Sequence, residues 1–208
     1  MLAPGAVRLV GPAAVGLLLA GIVVALVGAA RTWAAAVVVA ALAAVLVFLL
    51  VFFRDPERPV GDGVVSAADG RVLAVDQKDG RWTVSVFLGV LDVHVNRLPL
   101  DATVEAVETS GRGFRPAYRP EAATNVQRRY RLRTAIGTVE VVQITGIVAR
   151  RLVSYVRPGS TGRKGDRFGM IVLGSRTDVE LPADRVVPTV KVGDRVRGGR
   201  STIARIVP

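Results

Sequence analysis

VVSAADGRVLAV, residues 64–75, sets runs of Val, Leu and Ala on either side of Asp69-Gly70, and a turn pair between β-branched runs reads as strand, turn, strand. Runs of the same kind follow as WTVSVFLGV at 82–90, TVEVVQITGIV at 138–148 and FGMIVLG at 168–174. Each is rich in Val, Ile or Thr and bounded by Gly, Asp or Pro, so the chain from Val64 onward predicts a mainly β domain. Upstream, RDPERP at 54–59 gathers two prolines and four charges, which stops a preceding helix. The β-rich domain is therefore expected over 54–208.

Before that boundary the composition changes. Residues 13–30 and 34–53 carry no charge and are separated by Arg31, Thr32 and Trp33, and each run is long enough to cross a bilayer core of about 30 Å as a helix. The expectation is a two-helix transmembrane hairpin over 1–53. A cleaved leader is disfavoured because a second apolar run follows the first at once. Arg8, Arg54 and Arg58 flank the hairpin against Arg31 at its turn, so the positive-inside bias predicts a cell-membrane protein with its main domain on the cytoplasmic side.

The charge balance is 28 Lys plus Arg against 17 Asp plus Glu, net +11. A basic domain tethered to a membrane is read most economically as attracted to anionic headgroups, at roughly 1 kcal/mol per basic residue near the surface. No basic stripe interleaved with aromatics is present, so nucleic acid is not an expected partner. Residues 112–133 are arginine-rich and broken by Pro116 and Pro120, which predicts a surface loop or short helix. Val156, Gly159, Arg163 and Gly165 recur as Val190, Gly193, Arg197 and Gly199 at an offset of 34 residues. Two matched hairpins of barrel-sandwich type, with Gly at their turns, account for that repeat, and chance accounts for it equally.

Few routes to catalysis remain. There is no cysteine, which excludes disulfides, thiolate chemistry and cysteine-held metal sites, and no metal is expected. Lys78, Lys164 and Lys191 all sit beside turn residues and read as solvated turn lysines rather than Schiff-base lysines. A serine hydrolase has only His94 available and lacks a GxSxG elbow.

Four segments combine polar residues with strand-like surroundings: FFRDPERPV at 52–60, VVSAADGRV at 64–72, LDVHVNRLP at 91–99 and FGMIVLGSRTDVELP at 168–182. Together, and in this order, they resemble the phosphatidylserine decarboxylase family, in particular its short bacterial and archaeal branch, which includes archaetidylserine decarboxylases. The resemblance implies a proenzyme that cuts itself between Gly174 and Ser175. Ser175 then becomes the N-terminal pyruvoyl group of a chain 175–208, paired with a chain 1–174. That covalent pyruvoyl cofactor takes up the substrate's amine as an imine and serves as the electron sink for loss of carbon dioxide.

Further roles carry over by motif. Asp69 matches the family's self-processing acid, and His94 the first histidine of the longer branch's pattern. The second histidine of that pattern falls on Arg97, which is no general base at neutral pH. Two readings follow: His94 serves both steps, or Asp69 acts on Ser175 through water while His94 serves decarboxylation, the role favoured for it. Arg97, Asn125, Arg150 and Arg151 are the expected substrate contacts, with surface charge an equal alternative for the last two. The fold expected from the strand pattern and the repeat is a barrel-sandwich-like β domain behind the membrane anchor. The implied partners are a phospholipid in a membrane and, from the family alone, a second copy of the chain. Archaetidylserine as substrate, a non-catalytic membrane-tethered adaptor and a nucleic-acid-binding protein are the competing readings.

Overall fold

Valine-rich strands and glycine turns build most of this molecule, which the computed structural model describes at residues 1–26, 33–147, 151–172 and 175–207. The chain forms two compact units, Met1–Pro56 and Glu57–Pro208. The first contains α1 (Val7–Leu26) and α2 (Trp33–Phe52).

The expectation of two transmembrane helices is corrected here, because among the described residues no helix is long and apolar enough to cross a membrane. Pro12 lies inside α1, described over Val7–Leu26, and residues 27–30 of the expected first span lie outside the described residues. At the end of α2 the rings pack within their own unit, Phe52 lying 5.9 Å from Phe48 and 5.0 Å from Phe53 between ring centres, and the backbone of Ala3 donates to Phe53 C=O at 2.8 Å. The placement in the cell membrane with a cytoplasmic catalytic domain, which rested on those spans, falls with them.

The second unit contains β1 (Val64–Val65), β2 (Gly70–Lys78), β3 (Arg81–Leu88), β4 (Val95–Arg97), β5 (Ala102–Ser110), β6 (Gln127–Thr134), β7 (Gly137–Thr145), β8 (Arg151–Ser154), β9 (Thr161–Gly162), β10 (Arg167–Val172), β11 (Ser175–Pro182), β12 (Val186–Pro188), β13 (Arg195–Val196) and β14 (Thr202–Ile206). An eight-stranded sheet runs in the order β13-β2-β3-β11-β7-β6-β5-β9, and two three-stranded sheets run β4-β10-β8 and β1-β14-β12. The domain is mainly β as expected, but among the described residues no sheet closes into a barrel, which corrects the barrel-sandwich expectation. Both ends of the large sheet, β13 and β9, are two residues long and bounded by tight turns, too short to offer a ladder for closure.

The 34-residue repeat is structural. Gly159 and Gly193 donate to Val104 and Val72 C=O, and Gly165 and Gly199 to Leu98 and Ser66 C=O, so each partner is displaced by a constant 32 residues. All four glycines have positive φ. The repeat therefore folds as two copies of a short edge strand between two turns, one at each end of the large sheet.

Residues 127–134 correct the loop expectation for 112–133. They form β6, with Tyr130 and Leu132 buried and Arg129, Arg131 and Arg133 on the alternate phase, a period of two hidden by arginine on the outer face. At the centre of the sheet β11 lies between β3 and β7, and its inner face runs Ser175, Thr177, Val179, Leu181, all buried. Val179 pairs with Val84 and Val141, whereas Thr177 pairs with Val86 and Gln143, and Ser175 with Leu88 and Thr145. The core is thus apolar at one end of β11 and turns polar towards Ser175.

Candidate functional site

Ser175 is the first residue of β11 and is fully buried. Its hydroxyl has no hydrogen-bond partner among the described residues. An unsatisfied buried hydroxyl costs about 1–3 kcal/mol, and such an atom in a native interior calls for an explanation. Gly174 lies outside the described residues.

His94 is brought to the same region by the strand beside Ser175. Leu88, the β3 neighbour of Ser175, leads into a turn closed by Asp92 N–H donating to Gly89 C=O at 3.0 Å and Gly89 N–H donating to Asp92 Oδ2 at 2.8 Å. His94 follows immediately and is buried. Its Nδ1 lies 2.8 Å from the carbonyl oxygen of Asp92. A carbonyl only accepts, so Nδ1 carries the hydrogen and, in the neutral ring, Nε2 holds the lone pair. From the other side, Ile171 in β10 donates its N–H to His94 C=O at 3.1 Å. The strand before Ser175 and the strand beside it therefore converge on His94.

Asp69 is placed differently. It precedes Gly70, where a Cβ would stand 1.9 Å from Phe87 O at φ +147°, so the Asp-Gly pair marks a close backbone approach to β3 that only glycine allows. The Asp69 carboxylate accepts a bidentate pair from Arg58, at 2.5 and 2.7 Å, and the N–H of Gly198 at 2.8 Å. Arg58 also donates to Gly198 C=O at 3.0 Å. Asp69 is thus brought together with Arg58 and the turn at Gly198, and its oxygens are occupied there.

The expected substrate contacts divide. Arg97 is buried and donates from Nη1 to Gly165 C=O at 3.0 Å. Asn125 is buried, accepts the N–H of Arg115 at 2.7 Å, and donates to Arg115 C=O at 2.8 Å and Thr145 C=O at 2.6 Å. Both hold backbone in place, and Asn125 fastens the loop 111–126 to the β7 residue that pairs with Ser175. Arg151 is exposed at the start of β8, opposite Val172. Arg150 lies outside the described residues.

Four residues were missed. Tyr130 O–H donates to Gln143 Oε1 at 3.2 Å, Gln143 Nε2 to Asn96 Oδ1 at 2.7 Å, and Asn96 Nδ2 to Thr177 Oγ1 at 3.3 Å. All four side chains are buried, and burial pushes the Tyr130 phenol up. One signal was available: Gln143 falls on the same phase as Val139 and Val141 in TVEVVQIT, so a polar side chain points into the core of that strand.

The family model described as phosphatidylserine decarboxylase matches residues 45–204. The chain is 43% identical to the phosphatidylserine decarboxylase proenzyme of Streptomyces avermitilis, over 86% of this chain and 84% of that protein. It is 42% identical to the proenzyme of the same name from Thermobifida fusca, over 83% of this chain and 78% of that protein. A candidate archaetidylserine decarboxylase proenzyme of Halobacterium salinarum is 45% identical, over 88% of this chain and 90% of that protein.

Proposed function

This chain belongs to the phosphatidylserine decarboxylase family and is a pyruvoyl-dependent decarboxylase, and from that premise we propose that it cuts itself between Gly174 and Ser175 and converts phosphatidylserine to phosphatidylethanolamine and carbon dioxide. The observation that carries the position of the cut is the buried Ser175 hydroxyl with no partner among the described residues, at the head of a strand whose neighbour β3 leads into the His94 turn and which follows β10, whose Ile171 N–H donates to His94 C=O.

Self-cleavage uses this chain's own atoms. Ser175 Oγ attacks the carbonyl carbon of Gly174. The carbon–nitrogen bond breaks, the hydroxyl proton leaves, and the amide nitrogen takes up a proton, leaving an ester. Removal of the Ser175 Cα proton then expels the ester oxygen, giving a carboxylate on Gly174 and a dehydroalanine at 175. One water enters and one ammonia leaves to form the ketone.

His94 is the proton acceptor for these steps, because its tautomer places the lone pair on Nε2 and because the Asp69 oxygens are held by Arg58 and Gly198. The buried Ser175 position fits the group that results. Once formed, the pyruvoyl group supplies a ketone for the substrate's amine and an adjacent carbonyl that draws electrons from the departing carboxylate. His94, having taken a proton from the substrate's ammonium group, gives it to the α-carbon after carbon dioxide has left. Arg151 offers an exposed guanidinium beside β10 for the anionic headgroup, while Arg97 and Asn125 keep the framework in register.

The test is release of carbon dioxide from carboxyl-labelled phosphatidylserine in detergent micelles. Turnover by the wild type and none by Ser175→Ala supports the reading, and equal release by both defeats it.

A further inference from the structure

Cleavage before Ser175 changes what holds the reactive end in place. In the intact chain, residues 173–174 tie β10, which shares a sheet with β4, to β11 in the large sheet. Once that link is cut, Ser175 is a chain end, and chain ends fray from a sheet more readily than any other part of a strand. Its ladder partners, Leu88 and Thr145, are the last residues of their own strands.

We propose that the Asn96–Thr177 hydrogen bond is a tether for the cleaved state, holding the new terminus in register with His94, so that Asn96, Gln143 and Thr177 are positioning residues for decarboxylation. This rests on the cut position argued above. Thr177 shares the inner face of β11 with Ser175, two residues on. Asn96 lies two residues after His94 and donates both to Thr177 Oγ1 at 3.3 Å and to Ala67 C=O at 3.2 Å. The bond therefore joins the reactive end of one product chain to the histidine segment of the other.

The donors run in one direction, from Tyr130 through Gln143 and Asn96 to Thr177. Rotating the Asn96 amide would set its NH2 against that of Gln143, so the order fixes both amides. Backbone crowding adds to this. A Cβ on Gly169, the β10 partner of Asn96, would stand 2.7 Å from Val153 O, 3.0 Å from Gln143 Nε2 and 3.2 Å from Tyr130 Oη, so glycine at 169 lets β10 lie close to both β8 and the network. A fully buried polar chain across two sheets, in the layer next to Ser175, adds little stability that an apolar one of the same shape would lack, while it fixes the relative placement of its members. The precursor, whose backbone already joins β10 to β11, has little need of it.

The experiment compares Thr177→Val, Thr177→Ala and Thr177→Ser with wild type, reading self-cleavage by intact mass and decarboxylation by kcat and KM on phosphatidylserine micelles. Valine keeps the shape of threonine, and Asn96 Nδ2 keeps Ala67 C=O as a partner, so the fold is retained. The tether predicts complete cleavage in all three, kcat about 10-fold lower with unchanged KM in Thr177→Val and Thr177→Ala, and Thr177→Ser within about twofold of wild type. Wild-type kcat in Thr177→Val overturns it. So does an uncut Thr177→Val beside a cut wild type, which puts the need before cleavage, and so does a Thr177→Ser as slow as valine. A wild type that itself stays uncut overturns the underlying cut position, and is thereby told apart from failure of the tether alone.

Discussion

Ile171 donates its backbone N–H to the carbonyl of His94 at 3.1 Å, four residues before Ser175, so the strand that precedes Ser175 in the chain also fixes the height of the one histidine in the chain. Asp92 fixes its ring through Nδ1 at 2.8 Å. If Nε2 is the proton acceptor for both steps, His94→Ala and His94→Gln remain as a single full-length chain, with processing slowed at least about 100-fold, the usual worth of a positioned base. Gel electrophoresis of freshly made protein over time checks this. A His94→Ala that cuts itself at the wild-type rate confines the histidine to decarboxylation.

Arg58 and Asp69 form a pair whose side chains are 11% and 10% exposed. Removing one partner leaves the other charge buried without its counter-ion, which costs about 3 kcal/mol or more. Asp69→Ala is therefore expected to lower stability by that amount in urea unfolding, and Arg58→Met with Asp69→Leu to recover part of it. Additive losses in the double variant contradict a direct pairing.

Asn125 spends three hydrogen bonds on Arg115 and Thr145. Asn125→Ala leaves their backbone groups without that partner and costs about 2 kcal/mol, concentrated in the loop 111–126. Hydrogen exchange should speed up at the Arg115 amide, which Asn125 now holds, while the amides in the middle of β11 keep their protection. Uniform acceleration across the domain points instead to global destabilisation.

Glu140 supplies a pH-dependent contribution. Burial pushes its carboxyl up, but hydrogen bonds and charge from Arg129, with further help from Arg131 and Arg81, outweigh that and leave it below the ordinary glutamate range. A carboxyl depressed in the folded state adds stability above its unfolded pKa and loses it as pH falls through the folded one. Glu140→Gln is thus less stable than wild type at pH 7, and the gap closes as pH drops below about 4. Urea midpoints of both proteins across that range test the sign, and a gap that widens in acid contradicts it.

The strands were legible because Val, Ile and Thr runs broken by glycine have few other solutions, and the repeat because turns with positive φ demand glycine at matched positions, as at Gly159 and Gly193. Ser175 and His94 were reached through motif resemblance rather than through composition or periodicity. Closure of the sheet was not legible, since it depends on how short β9 and β13 are rather than on their composition. The helices were misjudged because an uncharged run says nothing about residues such as Phe52 and Phe53 that pack within their own unit. The polar network stayed hidden because its members lie 13, 47 and 81 residues apart, and one polar residue in a strand looks alike whether it faces core or solvent.

Intact mass spectrometry of the purified wild type beside Ser175→Ala tests the central claim most directly. The account predicts two chains in the wild type, 1–174 and 175–208, the smaller lighter by one ammonia than the same peptide with an N-terminal serine, and one full-length chain in Ser175→Ala. A wild type that stays at a single full-length mass, or a cut that persists in Ser175→Ala, would contradict it.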